Sequence, residues 1–166
     1  MDKDIQRQFE ATFTEFASDI FRYIYFKVSE YELAQDLTEE AFVRYWKRLQ
    51  EGKVIDNHKA LLYFIAKGLV VDHYRTKKNS KKQSLEKVDE RLLVMSDDVE
   101  ETIEQKQELE QVFAKIKKLK KDYQDVLFLH YVEDLSIKEI AFIQKKQENA
   151  VRVLLHRALK ELKKKL

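Results

Sequence analysis

Residues that form tight turns are almost absent from this chain. Its 166 residues include two glycines, Gly52 and Gly68, and no proline. β-Sandwiches and α/β sheets connect many short strands through turns that depend on these residue types. Long helices with short connections need few of them, so the sequence predicts an all-α protein.

Several kinds of site and segment are excluded by what the sequence lacks. Without cysteine, the chain cannot form disulfides, thiolate metal sites or a cysteine nucleophile. Residues 1–5 lack the basic region and apolar run of a signal peptide. No stretch approaches the roughly 18 apolar residues of a membrane-spanning helix. We therefore expect a cytoplasmic protein without membrane insertion.

Apolar residues at spacings of three and four predict three helices in the first half of the chain. The patterns cover residues 9–24, 33–49 and 61–69. Ser29 and Glu32 have the spacing of a capping box, which predicts that the second helix begins there. Together these patterns predict a helical domain over residues 5–78.

Periodicity is lost after the first domain and resumes in the last third of the chain. Residues 79–107 are therefore predicted to form a flexible linker, and residues 108–166 a second helical domain. The sequence thus predicts two small helical domains joined by a linker.

The second domain carries the pattern of a helix-turn-helix. Ser136 and Glu139 form a capping box ahead of a short helix at 137–144, and a longer helix follows at about 148–163. Two helices of these lengths joined by a short turn are typical of DNA-binding proteins.

Charge is segregated along the chain, although the net charge is only +2. Residues 52–82 and residues 138–166 each carry +6, whereas residues 1–51 carry −4 and residues 83–111 carry −7. A basic block at the end of each predicted domain indicates two contacts with a polyanion. Solvated lysine-rich helix faces explain these blocks equally well.

Cations alternate with aromatic rings along one face of the predicted third helix. At about 100° per residue, this face contains Lys59, Tyr63, Lys67, Tyr74 and Lys78. Such a face suits single-stranded nucleic acid, because cations follow the phosphates and rings stack on unpaired bases. In the alternative interpretation, the tyrosines lie at the edge of a core with hydrated hydroxyls.

Sequence patterns of common catalytic sites are missing. Two isolated glycines cannot supply a glycine-rich phosphate loop or a dinucleotide fingerprint. The four histidines show neither paired helical spacing nor the Glu-x-x-His pairs of di-iron bundles. We expect no enzymatic activity, no catalytic residue, no metal and no cofactor.

Five segments, in order, resemble the extracytoplasmic-function sigma factors. They are AQDLTEEAFVRYW (34–46), ALLYFIAKGLVVDHYR (60–75), DVLFLHY (125–131), LSIKEIA (135–141) and AVRVLLHRA (150–158). The first resembles the family's second conserved region, the second resembles the helix that follows it, and the last three resemble its fourth region. The resemblance covers about residues 9–78 and 108–163.

This resemblance implies a transcription initiation factor whose partners are core RNA polymerase and promoter DNA. In the family, the helix at 34–46 docks on the clamp helices of the large polymerase subunit. The helix at 60–75 melts and reads the −10 element, and the C-terminal domain reads the −35 element. An anti-sigma factor is a further partner that the resemblance implies.

Candidate contact residues follow from helix faces combined with this resemblance. The polymerase contacts share one helix stripe and are Asp36, Glu39, Glu40, Val43 and Lys47. The −10 contacts are Lys59, Tyr63, Lys67, Tyr74, Arg75 and Lys78. The −35 contacts are Lys145, Lys146, Glu148, Asn149, Arg152, Val153, His156 and Arg157. Arg152 and Asn149 suit base recognition, and Lys145, Lys146 and Arg157 suit phosphate contacts.

The chain departs from the family pattern at several of these places. The family usually has Gln at the position of Glu39, Trp at Leu61, Asn at Gly68 and often Arg at Leu154. The helix-turn-helix turn is Lys145-Lys146-Gln147, where the family often has Gly-Ile-Ser. A left-handed residue in this turn would be strained for lysine, and glutamine is a poorer N-cap than serine.

Two other functions remain open at this point. An ordinary helix-turn-helix regulator with a helical N-terminal dimerisation or effector domain would explain residues 108–166, but not the basic, aromatic third helix. A purely structural helical protein would explain the periodicity, but not the charge segregation. Binding to core polymerase distinguishes a sigma factor from both.

Overall fold

The computed structural model describes residues 2–77 and 102–166, and within these ranges the chain forms helices and turns without strands. The two ranges belong to two compact units. The predicted all-α fold class is confirmed. None of the described helices is both long and apolar enough to cross a membrane.

Within residues 2–77, the first unit forms three long helices, α1 (Asp2–Val28), α2 (Tyr31–Gln50) and α3 (His58–Thr76), each of which packs against the other two. Every residue of α1 from Ile20 to Phe26 is buried, and α2 and α3 both pack against this helix. Three tyrosines, Tyr23, Tyr45 and Tyr63, are among the largest fully buried side chains. Burying each large side chain contributes about 1.5–3 kcal/mol of hydrophobic stabilisation.

The connection between α1 and α2 differs from the prediction. Ser29 has a left-handed backbone, with φ of 60°, and its N–H closes α1 on the Tyr25 carbonyl at 2.8 Å. The N-cap of α2 is Glu30, whose side chain makes no capping hydrogen bond. The predicted capping box at Ser29 is therefore wrong, because Ser29 ends one helix rather than beginning the next.

A seven-residue loop, residues 51–57, connects α2 to α3. Gly52 provides the positive φ of 75° that turns the chain out of α2. At the other end, the Asn57 side chain accepts a hydrogen bond from the Ala60 N–H at 2.9 Å and caps α3.

Within residues 102–166, the second unit forms four α-helices: α4 (Ile103–Lys117), α5 (Lys121–Leu127), α6 (Ile137–Gln144) and α7 (Glu148–Lys165). The α4 helix begins five residues before the predicted domain start at 108, because Thr102 and Gln105 form a capping box. A π-helical turn, Phe128–Val132, follows α5. Both α5 and α6 pack on α7.

Two buried polar side chains fix the helices of the second unit. Gln124 donates hydrogen bonds from Nε2 to the carbonyls of Lys117 and Leu119, at 3.1 and 2.8 Å, and so satisfies the C-terminal end of α4. Asp125 accepts a hydrogen bond from Gln144 Nε2 at 2.9 Å, which joins α5 to the end of α6. These bonds orient the helix-turn-helix on its supporting helices.

The helix-turn-helix begins and turns through local backbone chemistry. Ser136 and Glu139 form both hydrogen bonds of the predicted capping box, at 3.1 and 2.9 Å. Lys145 is left-handed, with φ of 55°, and the Lys146 N–H closes the end of α6 on the Ala141 carbonyl at 2.9 Å. The left-handed residue of this turn is thus a lysine, and this conformation costs a residue with a side chain about 1–2 kcal/mol.

Candidate nucleic-acid and protein interfaces

The predicted polymerase contacts occupy one accessible stripe of α2. Asp36, Glu39, Val43 and Lys47 are exposed, and Glu40 is partly exposed. On the inward side of the same helix, Ala41, Phe42 and Tyr45 are buried. The stripe therefore presents three carboxylates, one ammonium and one aliphatic side chain to solvent. Arg44 donates a hydrogen bond to Glu40 at 3.1 Å across half-exposed side chains, a contact of little energetic weight.

Aromatic rings from α1 and α2 lie together beneath this part of the first unit. Phe9 lies 5.2 Å from Trp46, and Phe13 lies 4.9 Å from Phe42, between ring centroids. Phe13 is 46% exposed, although its position in the α1 pattern predicted a core residue. Periodicity missed this exposure, because it identifies the apolar face of a helix but not where along the helix the neighbouring helices stop covering it.

Tyr63 lies in the core of the first unit and not on the exposed side of α3. Its side chain is 0% exposed, and its ring centroid lies 5.6 Å from that of Tyr23 on α1. No base can reach either face of this ring, so the predicted stacking role of Tyr63 is corrected. The reason is that α1 and α2 both cover α3, and the buried part of α3 is much wider than a single apolar stripe.

The other predicted −10 contacts on α3 are accessible to different degrees. Lys59 and Lys67 are partly exposed, and Tyr74 and Arg75 are exposed. The Tyr74 hydroxyl donates a 2.6 Å hydrogen bond to the Lys27 carbonyl at the end of α1. The residue as a whole is 41% exposed, so its ring remains accessible for stacking. Lys78 lies outside the described residues, as does most of the predicted linker.

The exposed side of α3 that carries Arg75 also carries three residues that are not among the predicted −10 contacts. They are Gly68, Val71 and Asp72. A Cβ atom added at Gly68 would meet no atom within 4 Å. The helix backbone is therefore open to solvent at this point, and no contact within the described chain requires a glycine there.

The loop before α3 presents an apolar side chain outward and is anchored at its base. Val54 is 91% exposed. His58, the first residue of α3, has its Nδ1 atom 2.7 Å from the Tyr45 hydroxyl. Burial lowers the pKa of His58 and raises the pKa of Tyr45, so both side chains are neutral near pH 7.

All eight predicted −35 contacts are exposed, and they lie in the turn and the first three turns of α7. Val151 and Ala158 are buried on the opposite side of the helix. Lys145, Lys146, Arg152 and Arg157 make this surface cationic, with Glu148 as its single carboxylate. This arrangement presents the N-terminal part of the second helix of a helix-turn-helix, which is the part that contacts base edges in this motif.

Arg152 and Glu148 form an ion pair on this surface. Their side chains approach within 3.6 Å, one helical turn apart, and each is about half exposed. Pairs of this kind contribute about 0.3–0.5 kcal/mol, so the guanidinium can exchange Glu148 for another acceptor at little cost. The ion pair is thus present but weak.

Two family models match this chain: Sigma-70 region 2 at residues 12–80 and Sigma-70, region 4 at residues 109–162. The chain belongs to the sigma-70 family and is of the extracytoplasmic-function type. Sigma factors of this type direct promoter recognition in transcription initiation and are not catalytic enzymes.

Individual sigma factors support this assignment over nearly the whole chain. ECF RNA polymerase sigma factor BldN of Streptomyces coelicolor is 28% identical over 161 residues, which are 93% of this chain and 58% of BldN. RNA polymerase sigma factor YlaC of Bacillus subtilis is 27% identical over 155 residues, covering 93% of this chain and 90% of YlaC. The chain thus spans a little over half the length of BldN and most of YlaC.

A solved structure has the same fold. In the co-crystal structure of the sigma factor RpoE with the anti-sigma factor NepR from Bartonella quintana, one chain matches with a TM-score of 0.72. Sequence identity is 15%, and the match covers 95% of this chain and 96% of the other. At this identity, the likeness concerns the fold alone.

Proposed function

We propose that this sigma factor binds core RNA polymerase through the α2 stripe, holds the melted −10 strand with α3 and the preceding loop, and reads the −35 element with α7. The functional domains in this proposal are residues 5–78 and 108–166, joined by residues 79–107. The protein acts in the cytoplasm, where it meets polymerase, and has no catalytic activity of its own.

The observation that carries the DNA-binding part is the surface at the start of α7. A helix-turn-helix with a cationic second helix favours duplex DNA, because the cations neutralise phosphates and release counterions. Arg152 can make a bidentate contact with guanine, and Asn149 can do the same with adenine. Lys145, Lys146 and Arg157 contribute position rather than sequence preference.

The polymerase part is supported by the accessible stripe of α2, which is acidic except for Lys47 and Val43. Reversing charge at Asp36 and Glu40 together should weaken binding to core polymerase without unfolding the first unit, because neither side chain is buried. Co-purification with core polymerase measures the effect, and Glu32→Lys, an exposed reversal in the first turn of the same helix, is the control. Binding unchanged in the double variant would contradict the assignment of the stripe.

The proposal as a whole is tested by run-off transcription with purified core polymerase, followed by promoter mapping. A sigma factor supports specific initiation only together with core polymerase. Tight operator binding by the chain alone, without any binding to core polymerase, would instead identify a helix-turn-helix regulator. An anti-sigma factor that covers these surfaces is a further proposed partner, and its support is the family assignment.

A further inference from the structure

A chain of hydrogen bonds connects the three helices of the first unit and ends at the α2–α3 loop. Gln8 Nε2 donates to the Thr12 hydroxyl oxygen at 2.8 Å within α1. The Tyr45 hydroxyl of α2 donates to the same oxygen at 3.0 Å, and His58 Nδ1 of α3 lies 2.7 Å from the Tyr45 hydroxyl. The contacts join residues 33 and 13 positions apart in sequence.

The centre of this chain is shielded from water. Thr12 and Tyr45 are both buried, so a hydroxyl that lost its partner here would not recover the bond from solvent. The Tyr45 ring also packs against the His58 ring, edge to face, at 5.9 Å. The first turn of α3 is therefore held to α2 by both a polar and an aromatic contact.

These contacts define the geometry of the loop. On its C-terminal side, His58 immediately follows Asn57, the side chain of which caps α3. On its N-terminal side, the Gly52 N–H bonds the Leu49 carbonyl at 3.3 Å as the chain leaves α2. The residues between these anchors include Val54, which points into solvent. The loop is thus short, fixed at both ends, and open outward.

We propose that Tyr45 and His58 are positioning residues for the −10 strand: their hydrogen bond, held by Thr12, fixes the loop and the first turn of α3 in the form that receives unpaired bases. This inference rests on the proposed function of the loop. A loop that is ordered before binding loses less conformational entropy when the strand binds, and a site held by supporting hydrogen bonds keeps its geometry.

The central test is Tyr45→Phe in the full chain, assembled with core polymerase. This change removes the hydroxyl and keeps the ring packing. Tyr45→Phe removes the hydroxyl's bonds to both Thr12 and His58, and only the bond to His58 reaches α3. We expect affinity for a single-stranded −10 oligonucleotide, and the rate of open-complex formation, to fall about three- to tenfold, the effect of losing that one bond between α2 and α3. Binding to core polymerase and to a −35 duplex should not change.

Thr38→Val is the matched control. The Thr38 hydroxyl donates to the Ala34 carbonyl at 2.6 Å inside α2, so this variant loses a hydroxyl hydrogen bond from the same helix without affecting α3. We expect a small change in thermal stability, because the Ala34 carbonyl keeps its backbone partner in the helix, and unchanged affinity for the strand. If Tyr45→Phe also leaves strand affinity unchanged, the hydrogen bond is merely structural and the inference is wrong.

Variants of His58 provide an independent measurement. His58→Asn keeps a hydrogen-bonding atom near the place of Nδ1 and should retain strand affinity. His58→Phe should lower that affinity, but by no more than Tyr45→Phe, because it keeps the bond between Tyr45 and Thr12. The double variant Tyr45→Phe/His58→Phe should be no worse than Tyr45→Phe alone, because that variant already lacks the bond to His58. Additive losses would contradict the inference. If the parent protein itself fails to bind core polymerase and the strand, the proposed function fails, which is a different result.

Discussion

The α3 helix of the first unit and the α7 helix of the second have the same kind of helical periodicity in sequence. They differ in how much of each helix is buried. Eight residues of α3 are buried, including Tyr63, because both α1 and α2 cover this helix. Only Val151 and Ala158 are fully buried in α7, and all eight proposed contacts at its start are exposed. A sequence pattern predicts the outward face of a helix well when the buried face is narrow, and poorly when two neighbours cover the helix.

Tyr63→Ala gives the largest expected effect and tests this difference most directly. Removing a buried aromatic ring from the contact with Tyr23 should lower the free energy of unfolding of the first unit by about 3–5 kcal/mol. Chemical denaturation of the full chain measures this loss. Tyr74→Ala, which removes a half-exposed ring from the same helix, should cost much less. A stable Tyr63→Ala variant that fails only in promoter melting would show that Tyr63 leaves the core when DNA binds.

Arg152→Ala tests the exposed face of α7. We expect a loss of roughly 1–3 kcal/mol of preference at one −35 base pair, with a stability change below 0.5 kcal/mol because the ion pair with Glu148 is exposed. Promoter-library selection with the variant holoenzyme measures the preference. Lys146→Ala should instead weaken binding to all sequences and reduce the salt-dependence slope by about one.

Glu148→Gln is the control for that experiment, because it breaks the ion pair while leaving the guanidinium in place. Preference at the base pair assigned to Arg152 should survive in this variant. An intact preference in Arg152→Ala, or an altered one in Lys146→Ala, would contradict the division between base recognition and phosphate contact.

Lys145→Gly should change the stability of the helix-turn-helix and its affinity for DNA in opposite directions. Glycine adopts the left-handed conformation without the strain of a side chain, so thermal or chemical denaturation should show a gain of about 1 kcal/mol. The same change removes a cation, so affinity for all duplex sequences should fall. Lys146→Gly, which lies outside the left-handed position, should weaken DNA binding without the gain in stability. A loss of stability in Lys145→Gly would show that the lysine side chain contributes more than its backbone costs.

Gly68→Ala has the smallest expected effect and concerns α3 again. Because a Cβ atom meets nothing within 4 Å at this exposed position, alanine should stabilise the helix by about 0.5–1 kcal/mol. Gly52→Ala is the contrasting control and should destabilise, because Gly52 has a φ of 75°. If the Gly68→Ala variant is less stable than the parent protein, α3 is not a regular, solvent-exposed helix at this position.

Local features were predictable from the sequence, and contacts between distant segments were not. The capping box at Ser136 was correct, because both of its hydrogen bonds form within four residues. The similar pattern at Ser29 was wrong, because closing α1 required a left-handed residue at that position. The contact between Tyr45 and His58 had no sequence signal, since it depends on how two helices pack.

The uninterrupted burial of α1 residues from Ile20 to Phe26 has a consequence for hydrogen exchange. Backbone amides at the centre of a three-helix unit exchange with solvent only when the whole unit opens. The exchange rates of the slowest of these amides should therefore give the global free energy of unfolding of the first unit. This measurement needs no denaturant. A partner that binds only the folded state adds to that free energy through its concentration and affinity. The deuterium uptake of this buried segment should thus report polymerase binding at a surface that the segment itself does not touch.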